Sequence, residues 1–245
     1  MTRFYIAIVK DTAFAGLTKV ARELTLKNLE NTKRKYKNEQ KTERVGYRKF
    51  KENAELFGAI YYVVSSKVIE NPLTEKKVEV PTIFFSEFAA VKSGNNIHIF
   101  LGERYKNKIL KDLGVPKEKI NFSNFEKNFI EYLNTAKRDD PCYNTVFGEQ
   151  IESVGREGYD ENGHHLIEDY ESEEDREDEI EMTLDGGAKL KVSTPSAVET
   201  IHLSSNKINL FNSQQREFAD IFTTLDEMFK IMNEAQERYR GCKHI

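Results

Sequence analysis

The sequence predicts an α+β protein with a mainly antiparallel sheet and flanking helices, then an acidic connecting segment, a β-hairpin, a further strand and a long C-terminal helix. Short runs of β-branched and aromatic residues, bounded by turn residues, indicate the strands. Apolar residues spaced three and four apart indicate the helices. The connecting segment follows from the run EDYESEEDREDEIE at 168–181, where ten carboxylates accompany one cation, Arg176. Because charges of one sign at this density repel each other, the run cannot enter a packed core.

The chain begins with a predicted strand and helix. The run Phe4–Val9 suits a buried strand. Apolar residues then recur at helical spacing and mark one face of a helix over 12–29. The segment 31–51 has almost no residue that could be buried, which favours a charged loop or a helical extension.

Strand signals return in the middle of the chain. The segment 56–69 is rich in β-branched and aromatic residues and has no helical period. Two further strand segments are predicted over 78–80 and 82–91. The turn sequence SGNN at 93–96 then leads into an alternating strand over 97–101, which completes a hairpin.

Two helices follow, each with a sequence signal at one end. The first is predicted over 103–113 and ends where Gly114 can adopt the left-handed conformation. The second is predicted to begin at the capping-box pair Ser123 and Glu126 and to end near Ala136.

The C-terminal part predicts a hairpin, a strand and a helix. Alternating residues over 180–184 and 188–192 flank the turn sequence DGG at 185–187. A further strand is predicted over 198–203. The final helix, over about 213–240, would be roughly 40 Å long.

The final helix has an apolar seam with two alternative uses. The seam could pack in the core of its own chain, or it could form a homodimer with a second copy. Its members are Phe218, Ile221, Leu225, Phe229 and Met232.

Charge divides the chain unevenly. Residues 1–140 hold 27 Lys and Arg against 18 Asp and Glu, whereas residues 141–245 hold 10 against 23, and the whole chain has a net charge of −4. A basic first half and an acidic second half suggest binding to partners of opposite charge.

We predict three parts on this basis. They are an N-terminal α+β domain over 1–155 with a basic segment at 19–51, an acidic linker over 156–179, and a hairpin-strand-helix unit over 180–245.

Composition narrows the class of protein. The chain has 245 residues, 38% of them hydrophobic, which suffices for a real core. No apolar run reaches the length of a membrane span or a signal peptide, so we expect a cytoplasmic protein without membrane contact. Cys142 and Cys242 belong to no closely spaced Cys or His cluster, which argues against a disulfide framework and a zinc finger.

The basic segment is the candidate nucleic-acid site. Its cations can neutralise phosphates, and its interleaved aromatic rings can stack on unpaired bases. The alternative interpretation is a solvated, Lys-rich surface without a ligand. The candidate residues are Lys33, Arg34, Lys35, Tyr36, Lys37, Arg44, Tyr47, Arg48 and Lys49.

The acidic run and the neighbouring histidines allow further hypotheses. The run at 168–181 could be a solvated linker, or it could dock on a basic partner or on the basic segment of its own chain. His164 and Glu168, at helical i and i+4 spacing, could hold a metal for phosphodiester hydrolysis, although Asn162-Gly163 favours an incidental polar turn. The wider group of possible ligands is Asp160, Glu161, His164, His165, Glu168 and Asp169. We predict no metal site and no cofactor.

Nucleotide-binding glycine loops and the nucleophile elbow of hydrolases are missing from the sequence. We therefore expect a non-enzymatic binding or regulatory protein. Its basic segment would contact nucleic acid or an acidic partner, and its acidic segment would modulate that contact. The alternatives are a metal-dependent nuclease or related hydrolase, and a structural or inhibitory protein that binds only another protein.

Overall fold

The computed structural model describes the chain in ten stretches. They are residues 2–9, 14–27, 30–36, 39–70, 73–74, 77–122, 125–159, 165–169, 183–211 and 217–242. These residues form two compact units. We call Ala7–Asn121 the N-half unit, and Met1–Ile6 together with Phe122–Ile245 the C-half unit.

The N-half unit contains five antiparallel strands in the order β2-β3-β4-β5-β6, together with two helices and a short 3₁₀ turn, Lys117–Lys119. Strand β1, Thr2–Val9, precedes them and starts in the C-half unit. The other elements are α1 (Phe14–Leu26), β2 (Glu30–Tyr36), β3 (Glu39–Glu52), β4 (Leu56–Glu70), β5 (Lys77–Ser93), β6 (Asn96–Gly102) and α2 (Lys106–Asp112).

Both helices of the N-half unit lie on one face of its strands. Helix α1 buries Leu17 and Ala21 and packs on β3 and β4. Helix α2 buries Ile109 and Leu110 and ends at Gly114, whose φ of 68° is the left-handed conformation that its sequence predicts. We call the helix-covered face of these strands the inner face and the opposite face the outer face.

The C-half unit contains the strand order β1-β12-β11-β10-β8-β9, with antiparallel pairing between neighbours. A short strand, β7 (Ile120–Phe122), lies at the boundary between the two units. The remaining elements are α3 (Lys127–Thr135), α4 (Tyr143–Phe147), β8 (Ile151–Tyr159), β9 (His165–Asp169), β10 (Thr183–Ser193), β11 (Val198–Ser204), β12 (Lys207–Leu210) and α5 (Phe218–Cys242).

Helix α5 forms the core of the C-half unit. Phe222 makes an edge contact with Phe4 of β1, with ring centroids 5.2 Å apart, and Phe229 makes one with Phe125 at 6.0 Å. Further along, Gln236 accepts a hydrogen bond from the backbone N–H of Glu126 at 2.8 Å. The seam residues Ile221, Leu225, Phe229 and Met232 are buried within this chain. Because these four side chains are buried in the core of their own chain, a homodimer through this helix stays a prediction.

The predicted fold class is confirmed: the protein is α+β, with mainly antiparallel strands, flanking helices and a long C-terminal helix. The three predicted parts can be compared with the compact units and with the described strands. The compact units divide near residue 122. Of the predicted linker, 156–159 and 165–169 are strand, and the rest lies outside the described residues.

The turn predicted at 185–187 is wrong, because these residues lie inside the continuous strand β10. A Cβ on Gly187 would lie 2.3 Å from the carbonyl oxygen of Leu203 and 2.7 Å from the ring of His202. This glycine therefore permits close packing against β11, and the register between β10 and β8 shifts next to it. The chain turns instead at 194–197, where the N–H of Thr194 donates to the carbonyl of Ala197 at 2.7 Å.

Two other local predictions differ from the structure. Residues 31–36 and 39–51 form the paired strands β2 and β3 and not a loop or helix, because pairing with β4 adds them to a sheet that their own composition does not indicate. Helix α3 begins after Glu126, whose side chain makes no capping bond and instead accepts from Arg240, while its backbone N–H donates to Gln236. Ser123 lies outside the described residues.

Over the described stretches, none of the helices combines the length and the apolar character that a membrane span requires.

Candidate nucleic-acid interface

Strand β3 separates the predicted site residues between its two faces. Successive side chains of a strand point to opposite sides, so Arg44, Gly46 and Arg48 share the outer face, and Tyr47 and Lys49 share the inner face. Arg44 and Arg48 are exposed, whereas Tyr47 is buried. Only half of this strand's candidate residues therefore face outward.

The outer face continues across β4 and β5 through the strand register. Gly46 pairs with Tyr62, and Tyr62 pairs with Phe85. Phe85 is 54% exposed, and Tyr62 is half-buried. Gly46 contributes no side chain to this row of three residues.

Two flanking rows place the arginines beside apolar residues. Arg44 lies opposite Val64, which pairs with Ile83, and Ile83 is 61% exposed. Arg48 lies opposite Ile60 on the other side of the aromatic row. We call these seven residues the outer patch: Arg44, Arg48, Ile60, Tyr62, Val64, Ile83 and Phe85.

Among the described side chains, the carboxylate of Glu87 lies on this face. Glu87 pairs with Ile60, in the same row as Arg48. Burial raises the pKa of Glu87 above its ordinary value, and a backbone hydrogen bond partly opposes that shift.

Tyr47 is part of the inner core. Its ring lies 4.9 Å from Tyr61 and 6.0 Å from Phe88, centroid to centroid, and its hydroxyl donates to Asp112 Oδ2 at 2.7 Å. Burial raises the pKa of Tyr47, and the hydrogen bond to Asp112 adds to the shift. With its ring enclosed between other aromatic residues, Tyr47 stabilises the fold and does not offer a surface for a base.

Lys49 also has a partner. Its ammonium group lies 2.8 Å from Glu52 Oε2, and Arg22 of α1 holds the other oxygen of the same carboxylate. The hydrogen bond from Arg22, followed by that from Lys49, lowers the pKa of Glu52. This ion-pair group links α1 to β3 on the inner face.

The remaining predicted residues lie along β2. Lys33, Arg34, Lys35 and Tyr36 belong to that strand, paired with positions 39–42 of β3. Lys37 lies outside the described residues. The hairpin therefore places the backbone of these basic positions beside the N-terminal end of β3.

A small cleft opens on the inner face beside Tyr47. It has a volume of about 130 Å³, and its lining includes Lys27, Tyr47, Tyr61, Lys108 and Asp112. Asp112 already accepts from Tyr47 and from Lys108, whose Nζ lies 2.6 Å from Oδ2. Binding pockets for small organic ligands usually enclose at least about 300 Å³. The outer patch is therefore the better candidate for a macromolecular ligand.

The predicted metal ligands cannot be placed. Asp160, Glu161 and His164 lie outside the described residues, and Glu168 is described only as backbone in β9. Among the side chains that the structure describes, no group of three or more His, Cys, Asp or Glu could hold a metal ion.

Sequence reasoning missed the aromatic half of the outer patch. Tyr62, Ile83 and Phe85 stand in continuous apolar and aromatic runs, 60–64 and 83–85, and such a run does not show which of the two faces of a strand is covered. The signal that could have found them is the hairpin register, which sets Phe85 beside Tyr62 and Tyr62 beside Gly46.

Neither a protein-family model, nor a curated protein, nor a solved structure matches this chain.

Proposed function

We propose that this protein is a non-enzymatic binding protein that holds single-stranded nucleic acid on the outer patch. The observation that carries the proposal is the position of Arg44 and Arg48 on either side of a row that contains the exposed ring of Phe85. Cations beside open aromatic rings supply the two components of single-strand binding, which are phosphate neutralisation and base stacking.

The spacing of the patch suits an extended strand. Arg44 and Arg48 are four residues apart on β3, or roughly 13 Å at the rise of a β-strand. Between them, Tyr62 and Phe85 lie at neighbouring strand positions, about 4.8 Å apart along the hydrogen-bonding direction. Bases can stack here while the backbone follows the arginines.

Strand β2 lies next to β3, and its predicted site residues include three consecutive basic residues at 33–35. Since strand positions alternate between faces, Lys33 and Lys35 occupy positions in register with the face of Arg44, and Arg34 does not. We expect Lys33 and Lys35 to contribute sequence-independent affinity for phosphates.

The acidic segment is the proposed modulator. Residues 170–181 carry eight carboxylates and follow directly after β9. Carboxylates can compete with phosphates for the same arginines, so this segment would weaken binding until a partner removes it.

The experiment is a salt titration of binding to a labelled single-stranded oligonucleotide. We expect the affinity of the intact chain to fall steeply with salt. The double variant Arg44→Ala/Arg48→Ala should reduce the slope of log K against log salt by about 1.4, at about 0.7 for each lost phosphate contact. If the intact chain does not bind at low salt, the proposal is wrong.

A charge-matched control separates the outer patch from general electrostatics. Lys19→Ala/Lys111→Ala removes two exposed cations from α1 and α2, which cover the inner face. We expect it to leave the slope nearly unchanged. Equal losses from both double variants would contradict a localised site.

A third variant tests the modulator. A neutral linker in place of 170–181 leaves β9 intact and should tighten binding at low salt more than at high salt. Unchanged affinity would end the modulator hypothesis and leave the outer patch to be judged by the arginine variants. The metal-dependent hydrolase, the purely protein-binding role, the homodimer and the cytoplasmic location stay predictions.

A further inference from the structure

The two cysteines of the chain, 100 positions apart in sequence, stand at the ends of two helices that pack on each other in the C-half unit. Cys142 directly precedes α4, and Cys242 is the last residue of α5. Helix α4 packs on α5, where Arg238 Nη2 donates to the carbonyl of Val146 at 3.4 Å. Val146 lies four residues after Cys142 and Arg238 four residues before Cys242, so this contact brings the two helix ends together, and both cysteine side chains are half-buried.

The position of Cys142 is fixed by its neighbours. Its backbone N–H donates to Asp140 Oδ1 at 2.7 Å, and the hydroxyl of Tyr132 donates to the same oxygen at 2.9 Å. The ring of Tyr132 packs on Tyr239, with centroids 4.9 Å apart. Since Tyr239 lies three residues before Cys242, this contact holds the end of α5 beside Cys142.

We propose that Cys142 and Cys242 are an oxidation site that forms a reversible intramolecular disulfide, with a small-molecule disulfide as the oxidant. A disulfide requires the sulfur atoms to approach to about 2.05 Å. Cys142 and Cys242 stand at neighbouring ends of α4 and α5, and Cys242 is the last residue of its helix, where the backbone adjusts most readily.

The exchange has two balanced steps. One cysteine loses its proton, and its thiolate attacks a sulfur of the small disulfide, which forms a mixed disulfide and releases one small thiol. The second cysteine loses its proton and attacks the protein sulfur of the mixed disulfide, releasing the other small thiol. Two protein thiols are oxidised, and the small disulfide is reduced to two thiols.

The rate of the first step should depend on pH. The hydrogen bond with Cys242, followed by burial and the charges nearby, raises the pKa of Cys142 to about 11. Below that pKa, the thiolate fraction and the rate of attack by Cys142 rise about tenfold for each unit of pH.

The bond would close a loop of 100 residues and join the start of α4 to the end of α5. A cross-link over such a long loop restricts the unfolded chain most strongly. We expect the oxidised protein to have a Tm on the order of 5–15 °C higher than the reduced protein. The inference is independent of nucleic-acid binding.

The test uses the intact chain incubated with oxidised glutathione. We expect the product to lose the mass of two hydrogens, to carry no glutathione, and to yield one cross-linked pair of peptides containing residues 142 and 242. Glutathione on both cysteines, two unreacted thiols, or a disulfide between two chains would overturn the proposal.

Single serine variants provide the control. Cys142→Ser and Cys242→Ser should each stop at the mixed disulfide with glutathione and should lose the difference in Tm between oxidised and reduced protein. If a variant does not fold, rapid alkylation of native wild-type protein after oxidation decides the question. Two thiols protected together and released together by reductant support the pair, and independent reaction of the two contradicts it.

Discussion

Aromatic residues on the polar faces of the strands have different surroundings in the two units. In the C-half unit, Lys207 lies over the ring of Tyr5 at 4.9 Å, and Lys189 lies over Phe211 at 5.2 Å. In the N-half unit, the ring of Phe85 is more than half exposed, and the nearby arginines stand in flanking rows. A cation over an aromatic face uses the same π surface that a base would stack on. Phe85 of the outer patch therefore has a more exposed ring than Tyr5 or Phe211 has.

The largest effect should distinguish the two faces of β5. Phe88 on the inner face is fully buried, whereas Phe85, three residues earlier, is exposed. We expect Phe88→Ala to lower the free energy of unfolding by about 3–5 kcal/mol, and Phe85→Ala to change it by no more than about 0.5 kcal/mol. Urea denaturation of both variants measures this. Similar losses would mean that Phe85 is covered in solution.

Phe85, which should matter little for stability, should matter strongly for binding. Phe85→Ala removes the exposed ring and should weaken single-strand binding by about 5- to 150-fold, the effect of about 1–3 kcal/mol of lost stacking. Phe211→Ala in the C-half unit is the matched control and should leave affinity unchanged. A larger loss for Phe211→Ala would reverse the comparison between the units.

A further variant tests the role of Tyr47 as a core residue. Tyr47→Phe keeps the ring and removes the hydrogen bond to Asp112, which should cost about 1 kcal/mol of stability without changing affinity. Its native pKa is raised, so the native state keeps this proton after the unfolded tyrosine has lost it. Stability should therefore fall as pH rises above about 10, and less so in the variant. A loss of affinity in Tyr47→Phe would indicate that Tyr47 takes part in binding and would contradict its role as a core residue.

Removing the two lysines that lie over aromatic rings in the C-half unit should have a smaller effect. Lys189→Ala/Lys207→Ala removes two cation–π contacts, each worth about 0.5–1 kcal/mol at exposed sites. Thermal unfolding should detect a modest loss of stability, and the salt slope of binding should stay close to that of the intact chain. A slope reduced as much as by the arginine variant would place phosphate contacts on this face as well.

The smallest effect concerns Glu87. Glu87→Gln removes a negative charge from the outer face and should tighten binding by about two- to fivefold. Because burial raises the pKa of Glu87, the intact chain should gain part of this affinity as the solution is acidified, through protonation at a pH above that of an ordinary glutamate. Affinity measured between neutral and mildly acidic pH should rise in the intact chain more than in the variant.

Individual helices and strands can be predicted from the sequence better than the elements that pair or pack with them. Helix α5 was predicted closely because its apolar residues keep helical spacing for 25 residues. The β2–β3 hairpin was missed because its stability comes from pairing with β4, which local composition does not reveal. Gly187 was assigned to a turn because local sequence cannot show that Leu203 and His202 approach it across the sheet.

The same limit applies to the two sites. Arg44 and Arg48 could be selected by composition, but the burial of Tyr47 and the exposure of Phe85 depend on which face the helices cover. The meeting of Cys142 and Cys242 depends on the packing of α4 against α5. Contacts between residues far apart in sequence require the folded chain.

The most direct test of the account is ultraviolet cross-linking of a single-stranded oligonucleotide to the intact protein, followed by mapping of the cross-linked peptides. The account predicts cross-links to peptides of β4 and β5 that contain Tyr62 and Phe85, and their loss in Arg44→Ala/Arg48→Ala but not in Lys19→Ala/Lys111→Ala. Cross-links that map to the β10–β12 strands of the C-half unit, or no cross-link at low salt, would contradict it.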